Sequence, residues 1–345
     1  MKNGVNSTEE CCQSVPPGAA ATARRWVGGP SEMGRSGINT MKNLNMKDRP
    51  INSLADYIEA IVWVESQIHK EDFDILHRDY YYRGERKEFP YVISSLYNEK
   101  KSVDEIVVYF EGALIEEAKT RFPEIVKECD DNIEMLLKFQ HYGLPTRLLD
   151  VTQNPLVALF FACNDYDHSD CDDGRVLICT KKITPYSYVR SLGELIGTEG
   201  VVTLEQLTRM SLNSKYPIGN TEEHTRRLLA NLIAEPLLFR PPQNDSRIKA
   251  QLGAFVFTPL MQIISGSVSV DSSDFEVKDN ENGNLQNMFE ELRIIIPKEK
   301  KEFLIDQLDG VGVSEATLFP DYDHKMHYIK NHHLRFKKYD WHLDV

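Results

Sequence analysis

The sequence predicts an α+β fold, a single mixed domain whose central, largely antiparallel or mixed sheet is flanked by helices. Helical and strand patterns interleave along the chain. The predicted strands, near residues 80, 175, 255 and 293, are spaced too widely and irregularly for the βαβ units of a doubly wound sheet. With 345 residues, 41% of them hydrophobic, the chain can bury a sizeable core. The order of the strands is left open.

The first part of the chain has a different composition from the rest. Residues 1–49 are rich in Gly, Ser, Asn, Ala and Pro without sustained periodicity, which predicts a disordered leader. Met41 and Met46 stand just before the first periodic segment, so Met1, Met41 and Met46 are all candidates for the natural start. The folded domain is expected over residues 50–335, followed by a C-terminal tail at 336–345.

The first elements of the domain follow from spacing and end signals. Apolar residues recur every three or four positions after Ser53, which predicts an amphipathic helix that begins at this N-cap. Three tyrosines then favour a strand that ends at Arg83 and Gly84. A capping box at Ser102 predicts the next helix, which should end near Pro123.

The central helices have the clearest end signals. One helix begins at Asp131 and ends at Gly143, and a loop then leads to a buried helix that Asn154 caps and Pro155 opens. Residues 165–173 are expected to form an acidic surface loop before a buried strand at 174–180.

Residues 184–345 are expected to alternate between short helices, strands and loops. The patterns predict helices at 204–210, 223–233 and 246–253, an extended segment at 235–242 and a strand at 254–258. An exposed acidic insertion at 271–287 should separate these from a strand at 292–296 and a helix at 298–308.

Composition excludes several classes of function. The net charge of −13 argues against general nucleic-acid binding. The six cysteines contain no CxxC pair, which is typical of a reducing compartment. No apolar run reaches the roughly 18 residues of a membrane span, and a secretory signal is lacking. These features predict a cytoplasmic protein that does not bind membranes.

Histidines and cysteines show no common zinc-site spacing, so no metal site is expected.

Polar side chains interrupt the apolar segment at residues 132–163. Buried polar groups need defined partners, so this pattern indicates either a functional site or a structural polar network. Arg83 has the same two interpretations: its guanidinium could hold a phosphate or carboxylate, or pair with an internal acid such as Asp150. Gly84 would let the backbone approach a ligand closely. His141, in the last turn of its helix, is either a helix cap or a pocket residue.

Four motifs together resemble the FRG domain family over roughly residues 50–335. They are Tyr82-Arg83-Gly84, the run QHYGLPTRLLD at 140–150, the run NPLVALFFA at 154–162, and Arg247-Ile248 with Gln251 and Gly253-Ala254-Phe255. The strand end Ile296-Pro297 and the run Leu318-Phe319-Pro320-Asp321 fit the same pattern. One departure is Val151, where the family often has tryptophan. The resemblance implies a bacterial or phage-associated cytosolic domain, often found near defence and mobile elements.

Two main hypotheses of function follow from this resemblance. The first is a binding or effector module that captures a small nucleotide, with NAD as the candidate cofactor, or a protein partner. The second is an enzyme similar to ADP-ribosyltransferases, although Gln251 stands where those enzymes usually have a glutamate. A metal-independent hydrolase is a further alternative. The candidate catalytic residues are His141, Asp150 and Gln251; the candidate ligand-binding residues are Tyr82, Arg83, Gly84, Gln140, Tyr142, Thr146, Arg147 and Asn154.

Overall fold

Six strands form one antiparallel sheet at the centre of residues 50–345. The computed structural model describes residues 50–68, 80–98, 106–166, 169–196, 204–233, 235–258, 285–290 and 293–336. The strands are β1 (Tyr81–Glu85), β2 (Leu148–Thr152), β3 (Gly174–Cys179), β4 (Leu237–Phe239), β5 (Gly253–Phe257) and β6 (Arg293–Ile296). Their order in the sheet is β4-β5-β2-β1-β3-β6, and every neighbouring pair is antiparallel.

Thirteen α-helices surround this sheet in the part of the chain that the structure describes. They are α1 (Leu54–Ile68), α2 (Ser95–Asn98), α3 (Ile106–Arg121), α4 (Pro123–Lys127), α5 (Asn132–His141), α6 (Pro155–Cys163), α7 (Tyr186–Gly193), α8 (Leu204–Leu212), α9 (Glu222–Leu232), α10 (Ser246–Ala250), α11 (Lys301–Gly310), α12 (Glu315–Leu318) and α13 (Tyr322–Phe336). Short 3₁₀ turns lie at Gln286–Met288 and Lys298–Lys300.

The two faces of the sheet bury different clusters. On one face, Leu148, Phe239 and Phe257 pack with apolar side chains of α5, α7, α8 and α9. On the other face, Leu149 and Val256 pack with the segment 285–289. Strand residues alternate between faces, so a single five-residue strand such as β2 contributes to both clusters. Its central residue, Asp150, is exposed between buried neighbours.

Helix α6 packs directly against β1 and β3, and one glycine of each strand permits this contact. A Cβ built on Gly84 would stand 1.8 Å from the carbonyl oxygen of Ala158, and one on Gly174 would stand 2.3 Å from that of Ala162. The N-cap of α6 forms as predicted: the Asn154 side chain accepts a hydrogen bond from the N–H of Leu156 at 2.9 Å. The apolar helix and the small strand residues therefore fit together as one unit.

The predicted α+β class is confirmed, but several local predictions need correction. Residues 148–152 were expected in a loop and instead form β2 in the middle of the sheet. Strand β1 continues through Arg83 and Gly84 to Glu85 rather than ending at them. Asp165 was expected in a surface loop, yet it is only 3% exposed. The leader, the Ser102 capping box and most of the insertion at 271–287 lie outside the described residues.

Candidate functional site

A cleft of about 980 Å³ opens where β1 and β2 meet the helices on one face of the sheet. Its floor comes from β1 and β2, and its walls come from α5, the end of α6 and α10. Small-molecule ligands occupy cavities of about 300–1,000 Å³, so this space is large enough for a ligand of that class. The residues that line the cleft include Tyr82, Arg83, Gly84, Glu85, Gln140, His141, Asp150, Phe161, Asp165, Arg247 and Gln251.

The floor of the cleft opens because β1 and β2 separate. The two strands are paired in register only at Tyr82 and Thr152. Beyond this pair, Arg83 bridges the strands: its Nη1 donates a hydrogen bond to the carbonyl oxygen of Asp150 at 2.9 Å. Its Nε donates to Oε1 of Glu85 at 3.0 Å, and the side chain stays 23% exposed. Arg83 therefore holds two strands while part of its guanidinium faces the cleft.

The Asp150 carboxylate is held in place by a short polar chain. Gln140 Nε2 donates a hydrogen bond to Asp150 Oδ2 at 2.8 Å, and Gln140 Oε1 accepts one from Thr146 Oγ1 at 2.5 Å. Ser95 Oγ accepts a hydrogen bond from the Thr146 N–H at 3.1 Å and fixes the far end of the chain. Because Thr146 donates to the amide oxygen of Gln140, the amide nitrogen of Gln140 must face Asp150.

The environment of Asp150 raises its pKa above the usual value. Removal of bulk water by the walls of the cleft is the main cause, although the side chain remains open to the cleft itself. The positive charges of Arg83 and Arg247 and the hydrogen bond from Gln140 oppose this effect. A carboxylate that is poorly hydrated and close to two guanidinium groups is suited to accept hydrogen bonds from a ligand.

Arg147, a predicted phosphate-binding residue, lies in the core instead of the cleft. Its side chain is fully buried and donates to Glu111 from Nε, at 2.9 and 3.1 Å, and from Nη2. Its Nη1 donates to the carbonyl oxygen of Thr258 at 3.3 Å, and the guanidinium lies 5.3 Å from the centre of the Phe257 ring. Arg147 therefore ties β2 to α3 and to the end of β5.

Two acids of the cleft are neutralised by buried cations. Glu85 accepts a hydrogen bond from Arg175 Nε at 2.7 Å in addition to the one from Arg83. Asp165 pairs with Lys301, which is fully buried and also donates to the Arg86 carbonyl oxygen at 2.6 Å. Since both acids are paired, Asp150 is the carboxylate best placed to contact a ligand beside Arg83.

The remaining predicted residues divide between the cleft and its supports. Tyr82 lines the cleft, but its hydroxyl donates to Glu65 of α1. His141 also lines it, half-buried at the end of α5. Gln251 does so too, while its amide donates to the Leu318 carbonyl oxygen at 3.2 Å. Tyr142 is 73% exposed and lies outside the cleft.

Sequence reasoning assigned no role to Arg247, which lines the cleft and opposes the rise in the pKa of Asp150. Its presence in the fourth motif, four residues before Gln251, was the available signal. Glu85 was missed as well, although residues two apart on a strand share a face and Glu85 follows Arg83 at that spacing. Glu111 had no comparable signal, because it stands 36 residues before its partner Arg147.

The cleft presents charged and hydrogen-bonding groups of complementary kinds. Arg83 and Arg247 supply donors for an anionic group, Asp150 supplies an acceptor, and Gln140 orients that acceptor. Within the described ranges, no group of three His, Cys, Asp or Glu side chains is arranged to hold a metal ion. Every described helix is too short or too polar to cross a bilayer.

The fold defines an α+β domain with a ligand-sized cleft where two strands diverge. The chain contains an FRG domain: the model of that family matches residues 78–171, which span β1, β2, α5 and α6. The match covers the Arg83 bridge and the Gln140–Asp150 pair, whereas Arg247 and Gln251 lie beyond it. No curated protein and no solved structure matches the chain.

Proposed function

We propose that the cleft binds a nucleotide, with NAD as the candidate. A phosphate would be held by Arg83, and a ribose hydroxyl would donate a hydrogen bond to Asp150. The observation that carries the proposal is the pairing of these groups: Arg83 is fixed to the backbone of Asp150 at 2.9 Å, next to the carboxylate that Gln140 orients. A nucleotide has a phosphate next to a ribose. A guanidinium that can bind the phosphate, beside a carboxylate that can accept a hydrogen bond from a ribose hydroxyl, matches this order.

The pairing of two acids in the cleft supports an anionic ligand beside Arg83. The nearby acids Glu85 and Asp165 are paired with Arg175 and Lys301, so they repel a phosphate less than free carboxylates would. The Nε and Nη1 atoms of Arg83 donate hydrogen bonds to Glu85 and Asp150. Its Nη2 has no hydrogen-bond partner among the described residues. That N–H group is available for charge-assisted hydrogen bonds to phosphate oxygens.

Titration calorimetry with NAD and ADP-ribose tests this proposal. The wild-type chain is expected to bind, and Arg83→Lys should weaken binding about tenfold because it keeps the charge but loses the planar fork. Arg227→Gln is the control, since Arg227 is a highly exposed arginine of α9 outside the cleft. Equal affinities of the wild type and Arg83→Lys, or no binding by the wild type, would overturn the proposal.

An assay of nicotinamide release separates binding from catalysis. Gln251 is an amide and cannot serve as the carboxylate that transferases use, so Asp150 is the candidate for that role. Release of nicotinamide with water alone would indicate hydrolysis, and release that requires a cell extract as acceptor would indicate transfer. Tight binding with no release under either condition would identify a nucleotide-binding module.

A further inference from the structure

Arg247 occupies the cleft on a rigid support. The N-cap residue of α10, Asp245, accepts hydrogen bonds from the N–H groups of Arg247 at 2.8 Å and Ile248 at 3.0 Å. The carbonyl oxygen of Arg247 accepts the N–H of Gln251 at 2.9 Å. Because its backbone is held on both sides, the side chain starts from a fixed position at the cleft wall.

An aromatic ring lies against this guanidinium. Arg247 Cζ lies 4.6 Å from the centre of the Phe319 ring, which is itself 7% exposed. The Phe319 ring also stacks on His324 at 4.4 Å and 14°, and meets Phe161 edge to face at 6.1 Å. A guanidinium that lies over an aromatic face gains a cation–π interaction and leaves its N–H groups available for hydrogen bonds.

The guanidinium N–H groups of Arg247 have no partner among the residues that the structure describes. In the described part of the chain, its side chain makes no hydrogen bond or ion pair, in contrast to the fully engaged Arg147 and Arg175. The side chain is half-buried and lies close to Asp150. A cation that is partly buried, packed on an aromatic ring and without a described hydrogen-bond partner at a cleft wall is arranged to receive an anion.

We propose that Arg247 determines specificity by providing a second phosphate subsite, so that the cleft selects nucleotides with a pyrophosphate over monophosphates and nucleosides. This inference rests on the proposed function, which requires Arg83 and Asp150 alone. Arg83 has only part of its guanidinium available for one phosphate, because Nε and Nη1 already donate to the protein. Arg247 can present its whole guanidinium to the next phosphate. Phe319 acts as a positioning residue, because it orients Arg247 without touching the ligand.

Selectivity between ligands provides the test. The dissociation constants of ADP-ribose, AMP and adenosine are measured by calorimetry for the wild type, Arg247→Gln, Arg247→Lys and the control Arg227→Gln. The wild type and the control should prefer ADP-ribose to AMP by about tenfold or more. Arg247→Gln should bring this ratio close to one while AMP binding changes little, and Arg247→Lys should give an intermediate ratio.

A second variant tests the positioning role. Phe319→Leu removes the stacking surface, so it should lower the ADP-ribose to AMP ratio even though Arg247 is present. Thermal melts show whether Phe319→Leu, a substitution at a buried position, leaves the domain folded. If this variant does not fold, the variants of the half-buried Arg247 still decide the test. An unchanged ratio in Arg247→Gln, with ADP-ribose still bound, would overturn this inference and leave the proposed function intact. A wild type that binds none of the three ligands would overturn both.

Discussion

Arg147 and Glu111 form a bidentate ion pair in the core, with side chains that are 1% and 2% exposed. Three residues later in the same motif, the Asp150 carboxylate is open to the cleft. The QHYGLPTRLLD motif thus contributes one charged residue to the stability of the domain and another to its candidate site. Mutations at the two positions should therefore have opposite consequences.

Loss of Arg147 should destabilise the fold. Arg147→Met leaves the buried Glu111 carboxylate unpaired, and breaking such a pair typically costs about 3–5 kcal/mol. Arg121→Gln is a matched control, because Arg121 and Glu117 form an ion pair with side chains that are 69% and 60% exposed. Exposed pairs contribute about 0–1 kcal/mol. Urea unfolding of both variants measures the difference, and equal losses would show that the buried pair is not a stabilising brace.

Two glycines of the motifs should respond differently to alanine. Gly84→Ala places a Cβ against the backbone of α6, so we expect a loss of more than about 3 kcal/mol or a failure to fold. Gly143→Ala meets no atom within 4 Å but must adopt φ of +90°, which costs about 1–2 kcal/mol. Solubility and thermal melts compare the variants. A larger loss at Gly143 would contradict the packing of α6 on β1.

Helices with clear end signals could be predicted from sequence, and β2 could not. The spacing after Ser53 and the Asn154-Pro155 cap predicted helices α1 and α6 because both signals are local. Strand β2 carries a charged residue at its centre, which breaks the strand pattern at the position that opens to the cleft. The partners of Arg147 and Asp165 come from distant segments, so these ion pairs could not be predicted from local sequence patterns.

Gln140 should control how Asp150 meets a ligand. Gln140→Glu replaces a donor with an acceptor, and two facing carboxylates repel unless they share a proton. Ligand binding is therefore expected to be lost at pH 8 and partly regained at pH 5. Calorimetry with ADP-ribose at both values tests this, with the wild type as reference. A variant whose affinity does not depend on pH would show that the contact between Gln140 and Asp150 is irrelevant to binding.

Asp150 should contribute to function at the expense of stability. Its raised pKa means that the folded state favours the protonated acid, so stability falls as pH rises from the usual aspartate pKa of about 3.9 through the higher folded value. The substitution Asp150→Asn mimics that neutral acid, so this variant should be more stable than the wild type at pH 7. Thermal melts across the pH range check this. The gain should fade at pH 3.5, where the wild-type carboxyl is also protonated.

The central claim is that Asp150 belongs to a binding site and not to a structural brace. Measuring the melting temperature and the ADP-ribose affinity of Asp150→Asn at pH 7, beside the wild type, tests it most directly. We predict a melting temperature equal to or above that of the wild type, together with an affinity at least about tenfold weaker. A lower melting temperature with unchanged affinity would contradict the claim and make Asp150 a structural residue.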